Sequence, residues 1–294
     1  MNVDKKIEIC EPIDQLNLYG YKDYFYSFKN LYEKNKLPNV LLLSGQKGLG
    51  KSTFIYHFIN YLLSKNEANK YSIENFTINE NNSTFKLIKN KVHPNFFLLE
   101  NAFLKTNIKI DQVRNLFKFL EKTTYLQNLK IVLINNAEYL NLNSSNALLK
   151  SLEEPNSNTF FFIVNSSTSK VPDTIRSRCV EYKFHFSAYE KKHIFNKIIQ
   201  KYQLNFSELN IDRYFFLDTP GNLFRHLLLL NNSNLNISKD YLSCILYLID
   251  IYKRKKDFEL LDFISLLIEN FYCELSLYNS KNLNTYFINK YKIL

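Results

Sequence analysis

Residues Gly45-Gln46-Lys47-Gly48-Leu49-Gly50-Lys51-Ser52 fit the pattern GxxxxGK[ST], directly after the apolar run Asn39–Ser44 and at the head of a helical stretch, Lys51–Ser64. That combination suits nucleotide phosphates. The glycines let backbone N–H groups wrap the oxygens, Lys51 reaches the β- and γ-phosphates, and the Ser52 hydroxyl is the candidate ligand for Mg²⁺. Together with Thr53 these residues form a candidate site for ATP or ADP with Mg²⁺. An ordinary strand–helix turn is the competing reading, yet three of the chain's five glycines fall within this loop.

Hydrolysis needs a second element, an acidic residue at the end of a neighbouring strand that organises metal and water. The strand is present as Lys130–Ile134 (KIVLI), but it runs into Asn135, Asn136, Ala137 and Glu138. An amide offers Mg²⁺ an oxygen and cannot accept a proton from water. Glu138 is the candidate substitute, some way beyond the strand end. The residues therefore support nucleotide binding and argue against efficient hydrolysis.

Only six of the 38 basic side chains are arginine. Two of them, Arg176 and Arg178, precede the expected strand Val180–Phe184, where a planar, permanently charged guanidinium has a use that lysine does not meet. A surface salt bridge is the plainer alternative. The four cysteines (Cys10, Cys179, Cys244, Cys273) lie far apart without a CxxC pair, and the five histidines show no HExxH spacing. No zinc site, no other locally held metal and no disulfide framework are expected.

The elements that must hold these residues alternate. A helix is expected over 20–36, then a strand at Asn39–Ser44, the glycine loop and its helix. A polar, Asn-rich insertion over 66–92 and a strand at Phe96–Glu100 follow. Next come a helix at Ile110–Lys122, the strand Lys130–Ile134 and a helix at Asn143–Glu154 stopped by Pro155. The strand Thr159–Val164, a short turn over Val171–Arg178 and the strand Val180–Phe184 complete the series. Such alternation predicts an α/β fold with a parallel five-stranded sheet covered on both faces. Beyond Phe186 only helical patterns remain, broken at Asp218-Thr219-Pro220-Gly221 and by an Asn-rich linker over 231–236, which divides the chain at 1–186, 187–235 and 236–294.

With 294 residues, 46% hydrophobic and 22% charged, the chain can bury a sizeable core. The net charge of +10 fits a polyanionic partner, or the lysine-rich drift of an A- and T-rich genome. No apolar run approaches the length of a membrane span, and the first 20 residues show no secretory h-region, so a cytoplasmic protein without membrane contact is expected.

Asn146-Ala147-Leu148-Leu149-Lys150-Ser151-Leu152-Glu153-Glu154-Pro155, then the strand Phe160–Val164, then Thr174-Ile175-Arg176-Ser177-Arg178-Cys179 resemble the NALLKxLEEP and SRC motifs of bacterial clamp-loader subunits. These are AAA+ proteins, and the SRC element is shared with eukaryotic replication factor C small subunits. Leu37-Pro38-Asn39, His93-Pro94-Asn95 and Ile110-Asp111-Gln112-Val113-Arg114 extend the resemblance over about residues 18–230. A P-loop beside a degenerate Walker B (Asn135, Asn136) is more similar to the delta-prime branch of the DNA polymerase III loader than to the hydrolysing gamma/tau branch.

The resemblance implies roles. Arg178 would be an arginine finger acting in trans on a neighbour's γ-phosphate, Arg176 a candidate companion, and Asn165 the sensor-1 residue. The segment Thr219–Arg225 would open the lid helix of an AAA+ lid domain (187–235), with Arg225 one residue later than the sensor-2 arginine of gamma/tau. Residues 236–294 would form a short collar-like oligomerisation domain, packing through Tyr241, Ile245, Leu248, Ile249, Tyr252 and the run LLDFISLLIENF. The family's zinc cysteines have no counterpart, since residues 54–93 contain no Cys. Implied partners are gamma/tau and delta subunits, the sliding clamp and primer-template DNA, the last held through phosphates. The helix Ile110–Lys122 and the turn near Lys170 would contribute charge there. Alternatives are an ATP-hydrolysing gamma/tau-like subunit using Glu138 or an Asn-bound Mg²⁺, a small P-loop kinase, and a nucleic-acid binder explained by charge alone.

Overall fold

The computed structural model describes residues 9–101, 106–122, 129–165, 171–204, 218–233, 235, 241–256, 260–261 and 263–269. Within them β1 (Val40–Ser44), β2 (Phe96–Leu99), β3 (Lys130–Ile134), β4 (Thr159–Val164) and β5 (Val180–Lys183) pair in parallel in the order β2-β3-β4-β1-β5. β1, β3 and β4 are buried at every position. That is the reason they read as unbroken apolar runs rather than alternating ones: helices cover both faces of the sheet.

Successive β4 side chains serve the two faces in turn. Phe161 and Ile163 join an aliphatic layer with Val113 and Leu116 of α4 (Ile110–Glu121) and Leu148 and Leu152 of α5 (Leu142–Glu153). Phe162 points the other way and meets Phe58 edge-on at 6.0 Å. Phe58 belongs to α2 (Lys51–Leu63), whose Phe54 and Phe58 pack with Phe25 and Phe28 of α1 (Lys22–Glu33) in an aromatic layer.

The Asn-rich insertion is more ordered than its composition suggests. It contains a helix, α3 (Ser83–Lys89), that the sequence pattern does not predict. Asn82 caps it by accepting from the Phe85 N–H at 2.6 Å, and the Glu67 carboxylate accepts from the Ser83 and Thr84 N–H groups at 2.9 Å each. Asn82 also takes a bond from Asn60 Nδ2 at 2.9 Å and donates to the Asn69 carbonyl at 2.7 Å. Buried amides thus tie the insertion to α2. The expected turn over Val171–Arg178 likewise holds one short helix, α6 (Asp173–Arg176). It is too short for periodicity to reveal.

Lys130, buried at the start of β3, has its ammonium folded under the C-terminus of α4, donating to the carbonyls of Phe119 and Leu120 at 3.2 and 2.5 Å and to that of Lys122. These are carbonyls that a helix end leaves without intrahelical partners.

Cys10–Glu190 forms one compact unit, and the chain from Lys191 onward belongs to another. α7 (Ala188–Tyr202) begins at the junction. The second unit also contains α8 (Pro220–Asn231) and α9 (Tyr241–Lys255). Pro220 stands at the first position of α8, where its missing N–H costs nothing. Ile245, Leu248, Leu260, Phe263, Ile264, Leu266 and Leu267, within the apolar spacing of residues 236–294, are buried within the chain itself. The side chain of Tyr241 and the residues from Asn270 onward, including Cys273, lie outside the described residues. Among the described residues no helix is long and apolar enough to cross a membrane.

Candidate nucleotide-binding site and arginine pair

The parallel register brings the C-terminal ends of β1, β2, β3 and β4 to one edge: Leu43 pairs with Val164, Ile134 with Ile163, and Leu99 with Ile134. The P-loop leaves β1 at this edge. Gly45 has φ +148°, and a Cβ there would stand 2.8 Å from the Phe184 carbonyl oxygen, so the loop's first turn admits only glycine. Gly50, at φ +92°, turns the chain into α2. Tyr21 holds the loop from behind, stacking on Phe54 at 4.9 Å and donating its hydroxyl to the Leu49 carbonyl at 3.1 Å.

Lys51 is 5% exposed, and its ammonium donates to the carbonyls of Gly45 (2.6 Å) and Gln46 (2.8 Å). Burial pulls its pKa down to about 8, against the carboxylate of Glu138, which pushes it up, while Lys47 adds to the lowering. A desolvated cation at the head of a helix, ringed by a glycine loop, is a fit for a polyphosphate. Gln46 and Lys47 are exposed, whereas Leu49 is buried.

The partner of Ser52 is Asn135, at the position where hydrolysis would call for an acid: Ser52 Oγ donates to Asn135 Oδ1 at 2.9 Å. Asn135 is fixed by its N–H bond to the Leu99 carbonyl at 2.9 Å. Asn136 follows in the left-handed conformation (φ 57°) and donates its side-chain amide to Asn101 Oδ1 at 3.1 Å. The donors at the metal position are thus a hydroxyl and a neutral amide. Mg²⁺ held with a P-loop nucleotide draws on a Ser or Thr hydroxyl, a carboxylate and phosphate oxygens, and here an amide replaces the carboxylate.

Arg178 lies elsewhere. Ser44, the last residue before the P-loop, is in register with Lys183, and Arg178 precedes the start of β5. The length of β5, roughly 10 Å, separates it from the chain's own P-loop. Arg178 Nε donates to Glu153 Oε1 at 2.7 Å and Nη2 bonds the same oxygen. Nη1 donates to the Thr174 carbonyl at 2.8 Å and to Ser177 Oγ at 3.3 Å. Its side chain remains 28% exposed. Arg176 is more exposed and bonds Glu181 Oε2 at 3.2 and 2.8 Å, while Ser44 Oγ donates to Glu181 Oε1 at 2.6 Å. Cys179 follows the two arginines, and its thiol is pushed up to about 12 by burial and then by Glu181.

A glycine loop on β1, a degenerate β3 end and the SRC arginines before β5 occur here in one sheet. The family described as DNA polymerase III, delta subunit, matches residues 20–187, more than half of the chain. The chain belongs to that family. A DNA polymerase III subunit delta' from Pseudomonas aeruginosa is 36% identical over 143 residues, 49% of this chain and 42% of the relative. A DNA polymerase III subunit gamma from Buchnera aphidicola subsp. Schizaphis graminum is 27% identical over 226 residues, 75% of this chain and 60% of the relative. The matches thus span about half of those relatives' lengths. A solved gamma subunit-related protein from Thermotoga maritima aligns over 91% of this chain and 77% of its own at TM-score 0.41 and 16% identity.

The remaining candidates in this delta-family chain are placed as follows. Asn165 follows β4 at the P-loop edge, buried, its N–H bonded to the Leu43 carbonyl at 3.0 Å. Arg225 is exposed on α8, in the second unit. Arg114 of α4 pairs with Asp111 at 2.8 Å on an exposed face. Lys170 lies outside the described residues. Sequence reasoning missed the roles of Glu153 and Tyr21. Glu153 stands inside the NALLKSLEEP segment, but nothing in spacing links it to an arginine 25 residues on.

Proposed function

We propose that this chain is a delta-prime-like stator subunit of the DNA polymerase III clamp loader. It binds nucleotide through Gly45–Thr53, hydrolyses it inefficiently, and supplies Arg178 in trans to a neighbouring ATPase subunit. In that role it assembles in the cytoplasm with gamma/tau and delta subunits and helps place the sliding clamp on primer-template DNA. The observation that carries this reading is Arg178 itself: a partly exposed guanidinium held by Glu153, at the end of β5 away from the chain's own P-loop. Lying away from its own P-loop, Arg178 would act on a neighbour's nucleotide, and such fingers stabilise transition-state charge by about 10³–10⁵ in rate in related NTPases. Family membership and the similarity to delta' and gamma sequences support the assembly.

The test is co-assembly. Mixed with gamma/tau and delta subunits of the same organism, the chain should elute with them as one complex of defined mass on size-exclusion chromatography. Elution apart from both would remove the stator reading. An ATP-hydrolysing gamma/tau-like role is the second reading, favoured by the electrostatic influence of Glu138 on Lys51, which puts a carboxylate near the P-loop.

A further inference from the structure

The end of β3 places an amide where a P-loop ordinarily meets a carboxylate, and this changes what the site asks of its ligand. A carboxylate close to the β- and γ-phosphates repels them unless a divalent cation lies between, so a P-loop with an acid at this position binds nucleotide more weakly without the metal. Asn135 carries no charge. Its Oδ1 is already engaged by the Ser52 hydroxyl at 2.9 Å, and its main chain is fixed to Leu99. Asn136 is turned to Asn101, so the next residue does not restore the missing charge, and the carboxylate whose field reaches Lys51, Glu138, stands three residues beyond Asn135. On the other side stand the cations: Lys51 within the loop and the exposed Lys47 beside it. The first turn of α2 adds its free N–H groups.

We infer that this P-loop takes a nucleoside di- or triphosphate as the metal-free anion, its charge met by Lys51, Lys47 and the loop N–H groups, with no requirement for Mg²⁺. The inference rests on the nucleotide-binding reading above and adds the form of the ligand. A site of this kind holds nucleotide as a structural element, since the neutral pair Ser52–Asn135 gives no purchase for changing metal ligation during turnover.

The experiment is isothermal titration of the full chain with ADP, and separately with ATP, in excess Mg²⁺ and in excess EDTA. Wild type should bind with dissociation constants within about threefold in the two buffers. Asn135→Asp, checked for folding by its thermal melt, should lose about tenfold or more in EDTA and recover with Mg²⁺, because the new charge stands beside the phosphates. Wild-type binding that weakens tenfold or more in EDTA would overturn the inference and leave nucleotide binding intact. A folded Asn135→Asp that remains indifferent to metal would overturn it equally. Absence of wild-type binding in both buffers would instead remove the nucleotide-binding reading and the inference with it. The wild-type arm needs no variant to fold.

Discussion

Ser52 Oγ lies 2.9 Å from Asn135 Oδ1, a contact between the first turn of the P-loop helix and the end of the strand two places across the sheet. An acid in place of Asn135 would give this pair the hydroxyl and carboxylate of a metal site; here it is a neutral hydrogen bond. If Glu138 nevertheless served as the acid, the chain would be a motor. In the reconstituted loader, Glu138→Gln should leave ATP turnover within about twofold of wild type, measured at saturating ATP with clamp and primed DNA. A drop of tenfold or more would favour the hydrolysing reading, since loss of a general base costs about 10²–10⁴ in rate.

Nucleotide affinity should depend on pH through Lys51. Its free-state pKa of about 8 means that the ammonium is charged below that value and is lost above it. Phosphate needs the charged form, so ADP affinity should be flat from about pH 6.5 to 7.5 and fall roughly tenfold per unit well above pH 8. Lys51→Arg, charged throughout, should flatten that fall even if it binds more weakly. Affinity measured at constant ionic strength across this range decides the point.

The same burial affects stability. A lysine whose folded pKa is lowered from 10.5 to about 8 binds fewer protons folded than unfolded between those values. Its charge therefore costs about 3 kcal/mol below pH 8, and stability recovers as pH rises toward 10.5. Relative to Lys51→Met, wild type should gain that amount between pH 7.5 and 10.5 in denaturant unfolding. A difference between the two proteins that does not change with pH would contradict the burial argument.

Much of the sheet and loop could be read directly from sequence, because both depend on neighbours along the chain. β3 and β4 lie where their apolar runs lie, Lys130–Ile134 and Thr159–Val164. The P-loop follows β1 as its glycines required. What stayed hidden depends on partners distant in sequence. α3 needs Glu67, sixteen residues before Ser83, to meet its first N–H groups. Arg178 is held by Glu153, and the C-terminus of α4 is closed by Lys130 from the next strand. None of these pairings leaves a periodic trace. A lysine at the head of a buried strand gives no sign in the sequence that it caps a helix.

Asn82 offers a test of the insertion's ordering that is separate from nucleotide. It is fully buried, caps α3 and receives the Asn60 amide. Asn82→Ala removes the cap and leaves a buried donor unmet, a loss of about 1–3 kcal/mol. Chemical denaturation should show that loss, and hydrogen exchange should show it spread over residues 60–90. A change below about 0.5 kcal/mol would mean that the amide network does not hold the insertion.

The stator role stands or falls on Arg178 acting at a neighbour's nucleotide. Steady-state ATP hydrolysis by the reconstituted loader with clamp and primed DNA decides it, comparing wild type with Arg178→Ala and with the chain alone. The isolated chain should show no turnover above background, and Arg178→Ala should bring a several-fold fall in the complex's rate at unchanged assembly and mass. Full turnover with the substitution in place, or substantial hydrolysis by the chain on its own, would refute that role.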